Sequence, residues 1–64
     1  KIKAKDELGN TALHYAAYLG NEAQISYLLD AGAEKNARNV SGETPADLAR
    51  RWKKTANEAV LLKK

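Results

Sequence analysis

The stretch GNTALHYAA at residues 9–17 decides the fold of this 64-residue chain. Gly9 supplies a backbone that can adopt a positive φ in a turn, and Thr11 can cap a helix by accepting a hydrogen bond from a free amide. Leu13 is then followed by alanines at spacings of three and four, which is the pattern of one buried helix face. The stretch therefore predicts a turn that leads directly into an amphipathic helix.

A second helix follows after a short loop. Gly20 is expected to end the first helix, and the second starts at Asn21 and stops before Gly32. Its apolar residues form a single stripe at helical spacing, made of Ile25, Leu28 and Leu29. The predicted unit is therefore a turn, a helix, a short loop and a second helix.

The same turn and capping residues recur, without a gap, when the sequence is aligned with itself so that Gly9 falls on Gly42. Of the 26 residue pairs that this shift aligns, 6 are identical, and they are turn, cap and packing residues. Pro45 follows the second capping threonine, in the first helical turn where proline is tolerated. A competing alignment sets residues 57–59 on 21–23 with a three-residue insertion, but it loses the match of two leucine pairs, so the ungapped alignment is preferred. The identical pairs are Gly9/Gly42, Thr11/Thr44, Ala16/Ala49, Ala23/Ala56, Leu28/Leu61 and Leu29/Leu62.

The stretch at 9–17, Gly20 and the stretch LLDAGA at 28–33 together resemble the ankyrin repeat. This resemblance implies an all-α solenoid of stacked helix-turn-helix pairs with β-turn loops that project sideways. It also implies a non-enzymatic module for protein–protein interaction, a scaffold that binds through its β-turn tips and first helices. Ala12 in place of the usual proline and Lys35 in place of an apolar residue are modest departures.

The chain is expected to be the C-terminal end of an array. Residues 1–5 read as the tail of a preceding repeat, residues 6–38 as a full repeat and residues 39–64 as a C-terminal capping repeat. The last part carries charge where a following repeat would pack, and an unpaired charge is costly to bury. Asp47, in the position of His14, also resembles the final-repeat variant of the family. The charged replacements are Arg50 for Ala17, Lys53 for Gly20 and Glu58 for Ile25.

The opposite end has no such polar cover. We expect the leading face, the side of the first repeat that is turned toward the N-terminus, to be partly bare, with Leu13 and Ile25 among its apolar residues. Preceding ankyrin repeats or self-association through this face would cover it.

The composition excludes several classes of function. The chain has no cysteine and one histidine, so neither a disulfide framework nor a zinc site is expected. Neither a nucleophilic triad nor a phosphate-binding glycine loop is present, so no catalytic residue, cofactor or metal is predicted. The resemblance gives His14 a structural role, with its ring hydrogen-bonded to loop backbone. The sequence has no apolar stretch long enough to span a membrane, and an intracellular protein, cytoplasmic or nuclear, is expected.

The formal charge of +3 is concentrated in the second half. Residues 1–38 carry five basic and five acidic side chains, whereas residues 39–64 carry six and three. Much of the excess is the run at 50–54, RRWKK. This run either binds an anionic ligand or nucleic acid, or is a solvated helix end whose cations oppose the helix dipole. Because no nucleic-acid-binding motif accompanies it, the predicted partner is another protein rather than nucleic acid.

The resemblance implies that partner-binding residues lie at the variable positions of the repeat, the β-turn tip and the exposed end of the first helix, which the fold does not require. Tyr, Trp and Arg are enriched at binding hot spots, so Tyr18, Arg51 and Trp52 are the preferred contacts, with Leu8 and Val40 as apolar contributors. Trp52 has an alternative role, which is only to cover the last helix pair. The full predicted set is Glu7, Leu8, Asn10, Tyr18, Leu19, Val40, Ser41, Glu43, Arg51 and Trp52.

Overall fold

The computed structural model describes residues 4–63 as four helices in two consecutive pairs, with no strand in that part of the chain. The predicted all-α architecture of helix-turn-helix pairs is confirmed. The shift that sets Gly9 on Gly42 also places the start of α1 on that of α3, and both ends of α2 on those of α4, as the ungapped alignment requires. The helices are α1, Ala12–Leu19; α2, Glu22–Asp30; α3, Pro45–Arg51; and α4, Thr55–Lys63.

Residues 6–38 and 39–64 are called repeat one and repeat two below. Their division, with residues 1–5 as the tail of a preceding repeat, stays a prediction. The first three residues of that tail and Lys64 lie outside the described residues.

Three of the four helices begin with a reciprocal cap. Thr11, Asn21 and Thr44 each accept a hydrogen bond from the third amide of their helix, and the side chain of that third residue accepts the amide of the cap. Both helix starts that the threonines predict are therefore confirmed. The returning side chains are His14, Gln24 and Asp47.

Helices α2 and α3 end in the same hydrogen-bonded motif with different residues. The residue after the C-cap has a positive φ in both, +99° at Gly32 and +59° at Lys53. Lys53 donates its amide to the Arg50 carbonyl at 3.1 Å, and Lys54 donates to the Ala49 carbonyl at 2.7 Å, which is the Schellman pattern. Lys53 therefore holds a conformation that favours glycine.

Replacing Lys53 with glycine is expected to stabilise the chain by about 0.5–1 kcal/mol. The left-handed conformation costs a non-glycine residue about 1–2 kcal/mol, which glycine avoids. Glycine also has more conformational freedom in the unfolded chain, which reduces the gain in stability by about 0.4–1 kcal/mol. Urea unfolding followed by circular dichroism measures the difference. Gly32→Ala is the matched control and should destabilise; a loss of stability in Lys53→Gly would contradict the assignment.

The core lies between the two helix pairs. Helix α1 packs on α3 and α2 packs on α4, so the inner faces of both pairs are removed from water. Leu13 and Ile25 are fully buried in this interface, so the prediction that they lie bare on the leading face is wrong. The prediction failed because the apolar stripe that contains these residues faces repeat two and not the leading side. The buried apolar residues are Leu13, Ala17, Ile25, Leu48, Ala49 and Leu61.

The outer side of repeat two has an ion pair at the positions where repeat one has buried core residues. Arg50 and Glu58 occupy the positions of Ala17 and Ile25, and the Arg50 Nε lies 2.9 Å from Glu58 Oε2. This contact raises the pKa of Arg50 above its usual value. Two of the three charges that were predicted to end the stack, Arg50 and Glu58, thus pair with each other across α3 and α4, whereas Lys53 forms no ion pair among residues 4–63.

Candidate partner-binding groove

Each repeat opens with a turn that one side chain organises. The Asp6 carboxylate accepts the amides of Leu8 at 3.0 Å and Asn10 at 2.8 Å. Asn39 occupies the same position in repeat two, and its amide oxygen accepts two backbone N–H groups at 2.9 and 3.0 Å. Such bonds fix the turn locally, without help from the core. Both turn tips are therefore rigid platforms for their exposed side chains.

The hydroxyl of Tyr15 also donates a hydrogen bond to the Asp6 carboxylate. This bond and the Asn10 amide lower the pKa of Asp6, and the same carboxylate raises the pKa of Tyr15. The first turn is thereby tied to helix α1.

The two turns are joined to each other by a backbone hydrogen bond and by a bond between part-buried side chains. Val40 donates its amide to the Leu8 carbonyl at 2.9 Å, and Asn39 donates its side-chain amide to Asn10 at 2.9 Å. Leu8 and Val40 consequently lie at adjacent turn tips, and both are largely exposed.

His14 links repeat one to the second turn. Its Nδ1 accepts the backbone N–H of Thr11 at 3.0 Å, so the proton is on Nε2, which donates to the Glu43 carbonyl at 2.8 Å. The ring is fully buried. The structural role predicted for this histidine is confirmed.

Aromatic rings from both repeats meet beside the turns. Tyr18 and Trp52 stack with ring centroids 5.7 Å apart and planes inclined by 19°, and Tyr15 extends the row with its centroid 6.1 Å from that of Tyr18. Trp52 remains 54% exposed. The alternative role for Trp52, a cover for the last helix pair, stays a prediction, since its ring both stacks on Tyr18 and remains about half exposed.

These features enclose a groove between the two repeats, with a volume of about 220 Å³. Eight of the ten predicted partner-binding residues line it, so the structure brings most of the set together. The predicted set did not include Asn39 or the buried Leu48. Asn39 could have been found from the sequence, because it aligns with Asp6 at the start of the turn. We call this the front groove; it is lined by Leu8, Asn10, Tyr18, Asn39, Val40, Ser41, Glu43, Leu48, Arg51 and Trp52.

Glu7 and Leu19 lie outside the front groove for one shared reason. The alignment of the two repeats places Glu7 on Val40 and Leu19 on Trp52, and these two line the groove on the leading side of repeat two. The same positions in repeat one therefore face the leading side of repeat one. Leu19 accordingly lines the cavity found there.

That cavity, of about 550 Å³, lies on the leading face of repeat one. Of the nine residues that line it, five have equivalents in repeat two that are buried against repeat one. The leading face thus has the form of a surface that a neighbouring helix pair covers. Those buried equivalents are Pro45, Leu48, Ala49, Asn57 and Leu61.

In the basic run at 50–54 the two arginines form ion pairs and the two lysines do not, within residues 4–63. Arg50 pairs with Glu58, and Arg51 Nη1 lies 3.1 Å from Glu43 Oε2. Lys53 and Lys54 have no carboxylate within ion-pair distance among residues 4–63. The two arginines lie in the last turn of α3, where their charges oppose the helix dipole as predicted.

Residues 4–63 contain no group of three or more histidine and carboxylate side chains that could hold a metal ion. In the same part of the chain, no helix is both long enough and apolar enough to cross a membrane.

The family model of the ankyrin repeat matches residues 8–40, which is half of the chain. The chain belongs to the ankyrin-repeat family. A chain in the solved structure of a predatory endopeptidase from Bdellovibrio bacteriovorus in complex with an immunity protein superposes on it with a TM-score of 0.95. That match has 33% identity and covers 98% of this chain and 33% of the other. The ankyrin fold that the sequence predicted is therefore confirmed over both repeats.

Similar stretches also occur within much longer proteins. Palmitoyltransferase ZDHHC17 of Danio rerio is 54% identical over 44 residues, which are 69% of this chain and 7% of that protein. A putative ankyrin repeat protein of Acanthamoeba polyphaga mimivirus is 42% identical over 50 residues, 78% of this chain and 7% of its own length. The ankyrin chain described here thus spans less than a tenth of these relatives, and what matches is the repeat.

Proposed function

We propose that this chain recognises another protein through the front groove. Ankyrin repeats are in general protein–protein interaction modules, and they are not enzymatic. The observation that carries the proposal is that apolar and aromatic side chains from both repeats remain exposed in one groove, where Trp52 stacks on the half-buried Tyr18. Exposed Leu8, Val40 and Trp52 in one groove are a surface suited to a side chain of a partner.

The size of the groove also favours a protein partner. Sites for small molecules and cofactors usually enclose about 300–1,000 Å³, whereas the front groove offers about 220 Å³. It therefore suits one or two side chains of a longer ligand.

The second candidate, binding of nucleic acid or another anion by the basic run, has less support. Arg50 and Arg51 already neutralise two carboxylates of the chain, which leaves Lys53 and Lys54 as the unpaired cations of the run within residues 4–63. A third role, a cap of a larger array, is supported by the Arg50–Glu58 pair and is compatible with partner binding. We propose that a preceding repeat, or a second copy, covers the leading face, and that the protein is intracellular.

Trp52→Ala is expected to weaken partner binding by about 10- to 30-fold, about 1.4–2 kcal/mol, because a half-exposed aromatic at the centre of a groove is a typical hot spot. The immobilised chain and the variant are compared for the proteins that they capture at several salt concentrations. Tyr27→Ala is the matched control, since Tyr27 is an exposed aromatic on the leading face.

A protein retained by Tyr27→Ala and lost with Trp52→Ala supports the front groove. The reverse pattern would place binding on the leading face. Capture that is indifferent to both variants but falls steeply with salt would favour the basic run, since phosphate contacts are strongly salt-dependent.

A further inference from the structure

The guanidinium of Arg51 uses one of its three nitrogen atoms to bind Glu43. Its Nη1 contacts both carboxylate oxygens of Glu43, at 3.1 and 3.4 Å, while Nε and Nη2 donate no hydrogen bond to another group of residues 4–63. The Arg51 side chain is 62% exposed, and that of Glu43 is 21% exposed. Nε and Nη2 therefore remain available as hydrogen-bond donors on a largely exposed side chain that already has one fixed partner.

The open edge has the geometry of a carboxylate receptor. A guanidinium donates two parallel N–H groups from Nε and Nη2, and this fork matches the two oxygens of a carboxylate. Glu43 is itself fixed, because its backbone carbonyl accepts from His14 and its backbone amide donates to Asn39. The Glu43–Arg51 contact thus orients the fork before a ligand arrives, which reduces the entropy lost on binding.

Apolar surface adjoins the fork. Trp52 follows Arg51 in the chain and stacks on Tyr18, and the turn-tip side chains Leu8 and Val40 line the same groove. A ligand that reaches both features needs a carboxylate next to an apolar side chain.

The local charge balance favours an acidic ligand. Repeat two has three carboxylates, and each is already engaged: Glu43 with Arg51, Glu58 with Arg50, and Asp47 with the amide of Thr44. Lys53 and Lys54 then add unpaired positive charge close to the fork in the chain.

A chain-terminal carboxylate fits less well than a side-chain carboxylate. Terminal carboxylates are usually captured by free backbone amides in a nest. At the second turn tip the amides of Val40, Ser41, Gly42 and Glu43 already donate within the chain. The fork is therefore the donor pair left open there, and it suits an Asp or Glu within an extended segment.

We infer that the front groove binds an extended peptide segment of a partner protein whose Asp or Glu side chain makes a bidentate pair with Nε and Nη2 of Arg51. An adjacent apolar side chain of that segment packs on Tyr18 and Trp52. The inference rests on the proposed function, since it names the class of partner for the same groove.

Selection of a random dodecapeptide phage library on the full chain tests this inference. We expect enriched peptides to share an Asp or Glu next to an aromatic or aliphatic residue. Fluorescence anisotropy of labelled synthetic peptides then gives affinities for the chain, Arg51→Lys, Arg50→Lys and Trp52→Ala, each checked for unchanged helicity. Arg51→Lys keeps the charge and removes the fork, so affinity should fall at least 10-fold, whereas Arg50→Lys should bind as the unchanged chain does.

The peptide side of the pair is tested in parallel. Changing its acidic residue to the amide, Glu to Gln or Asp to Asn, should cost about as much as Arg51→Lys, and the two changes together should cost little more than either. Peptides that depend on Trp52 but not on the acidic residue would overturn the inference and leave the proposed function standing. Peptides indifferent to Trp52→Ala would overturn both. Loss of binding on amidation of the peptide C-terminus would assign the carboxylate to the chain end and overturn the inference, as would failure to enrich any peptide.

Discussion

Replacing His14 with alanine is expected to lower the free energy of unfolding by about 3–4 kcal/mol. The change leaves the Thr11 amide and the Glu43 carbonyl without their buried partner, and an unsatisfied buried group costs about 1–3 kcal/mol. The space left by the ring adds a cavity cost. A 64-residue domain has a total stability of about 3–10 kcal/mol, so the change removes a large fraction of it.

Thermal unfolding followed by circular dichroism measures this loss, and a lowering of the melting temperature by more than about 12 °C is expected. Asp47→Ala is the matched control, because Asp47 occupies the same position in repeat two. The Asp47 carboxylate accepts the amide of its own helix cap at 3.1 Å, a contact worth about 1 kcal/mol. Equal losses in the two variants would show that the link from His14 to Glu43 adds nothing.

The position of His14 connects stability to the front groove. The Glu43 carbonyl that accepts from His14 belongs to the residue whose carboxylate holds Arg51. The contact that joins the repeats therefore also sets the place of the second turn relative to the aromatic row. A groove built across two repeats requires that their separation be fixed, and the buried histidine is one of the contacts that fix it.

The local elements of this fold could be predicted from sequence because their causes are local. Thr11 and Thr44 cap the helices that follow them, and the ungapped repeat that aligns them follows from a chain that uses one folding unit twice. The turn-tip positions follow from the resemblance to the ankyrin repeat, in which they are variable, and most of them meet in the front groove.

The direction in which each stripe faces could not be predicted in the same way. A helical period identifies Leu13 and Ile25 as buried, but it does not say which neighbour covers them. That depends on how one helix pair is set against the next. The same limit explains Leu19 and Glu7, which share positions with groove residues and lie on the other side of their own repeat.

Asn57 is the residue whose importance was hardest to see in the sequence. In the ungapped alignment it stands on the exposed Gln24, and it lies inside α4, where a polar residue usually faces water. The structure buries it, and its Nδ2 donates to the carbonyls of Ala17 at 3.0 Å and Gly20 at 3.3 Å. These carbonyls belong to the end of α1, where the last carbonyl groups of a helix have no amide donor within the helix.

Asn57→Ala is therefore expected to lower the free energy of unfolding by about 2–3 kcal/mol, since the buried carbonyl of Ala17 and the part-buried carbonyl of Gly20 lose their donor. Gln24→Ala removes an exposed cap at the equivalent position, and about 1 kcal/mol is expected there. Asn57→Leu separates hydrogen bonding from volume, because it keeps a side chain of similar size and removes both donors. If the carbonyls at the end of α1 need the amide, urea unfolding will find Asn57→Leu no more stable than Asn57→Ala. Recovery of the lost stability by leucine would instead show that Asn57 acts only by filling space between the helix pairs.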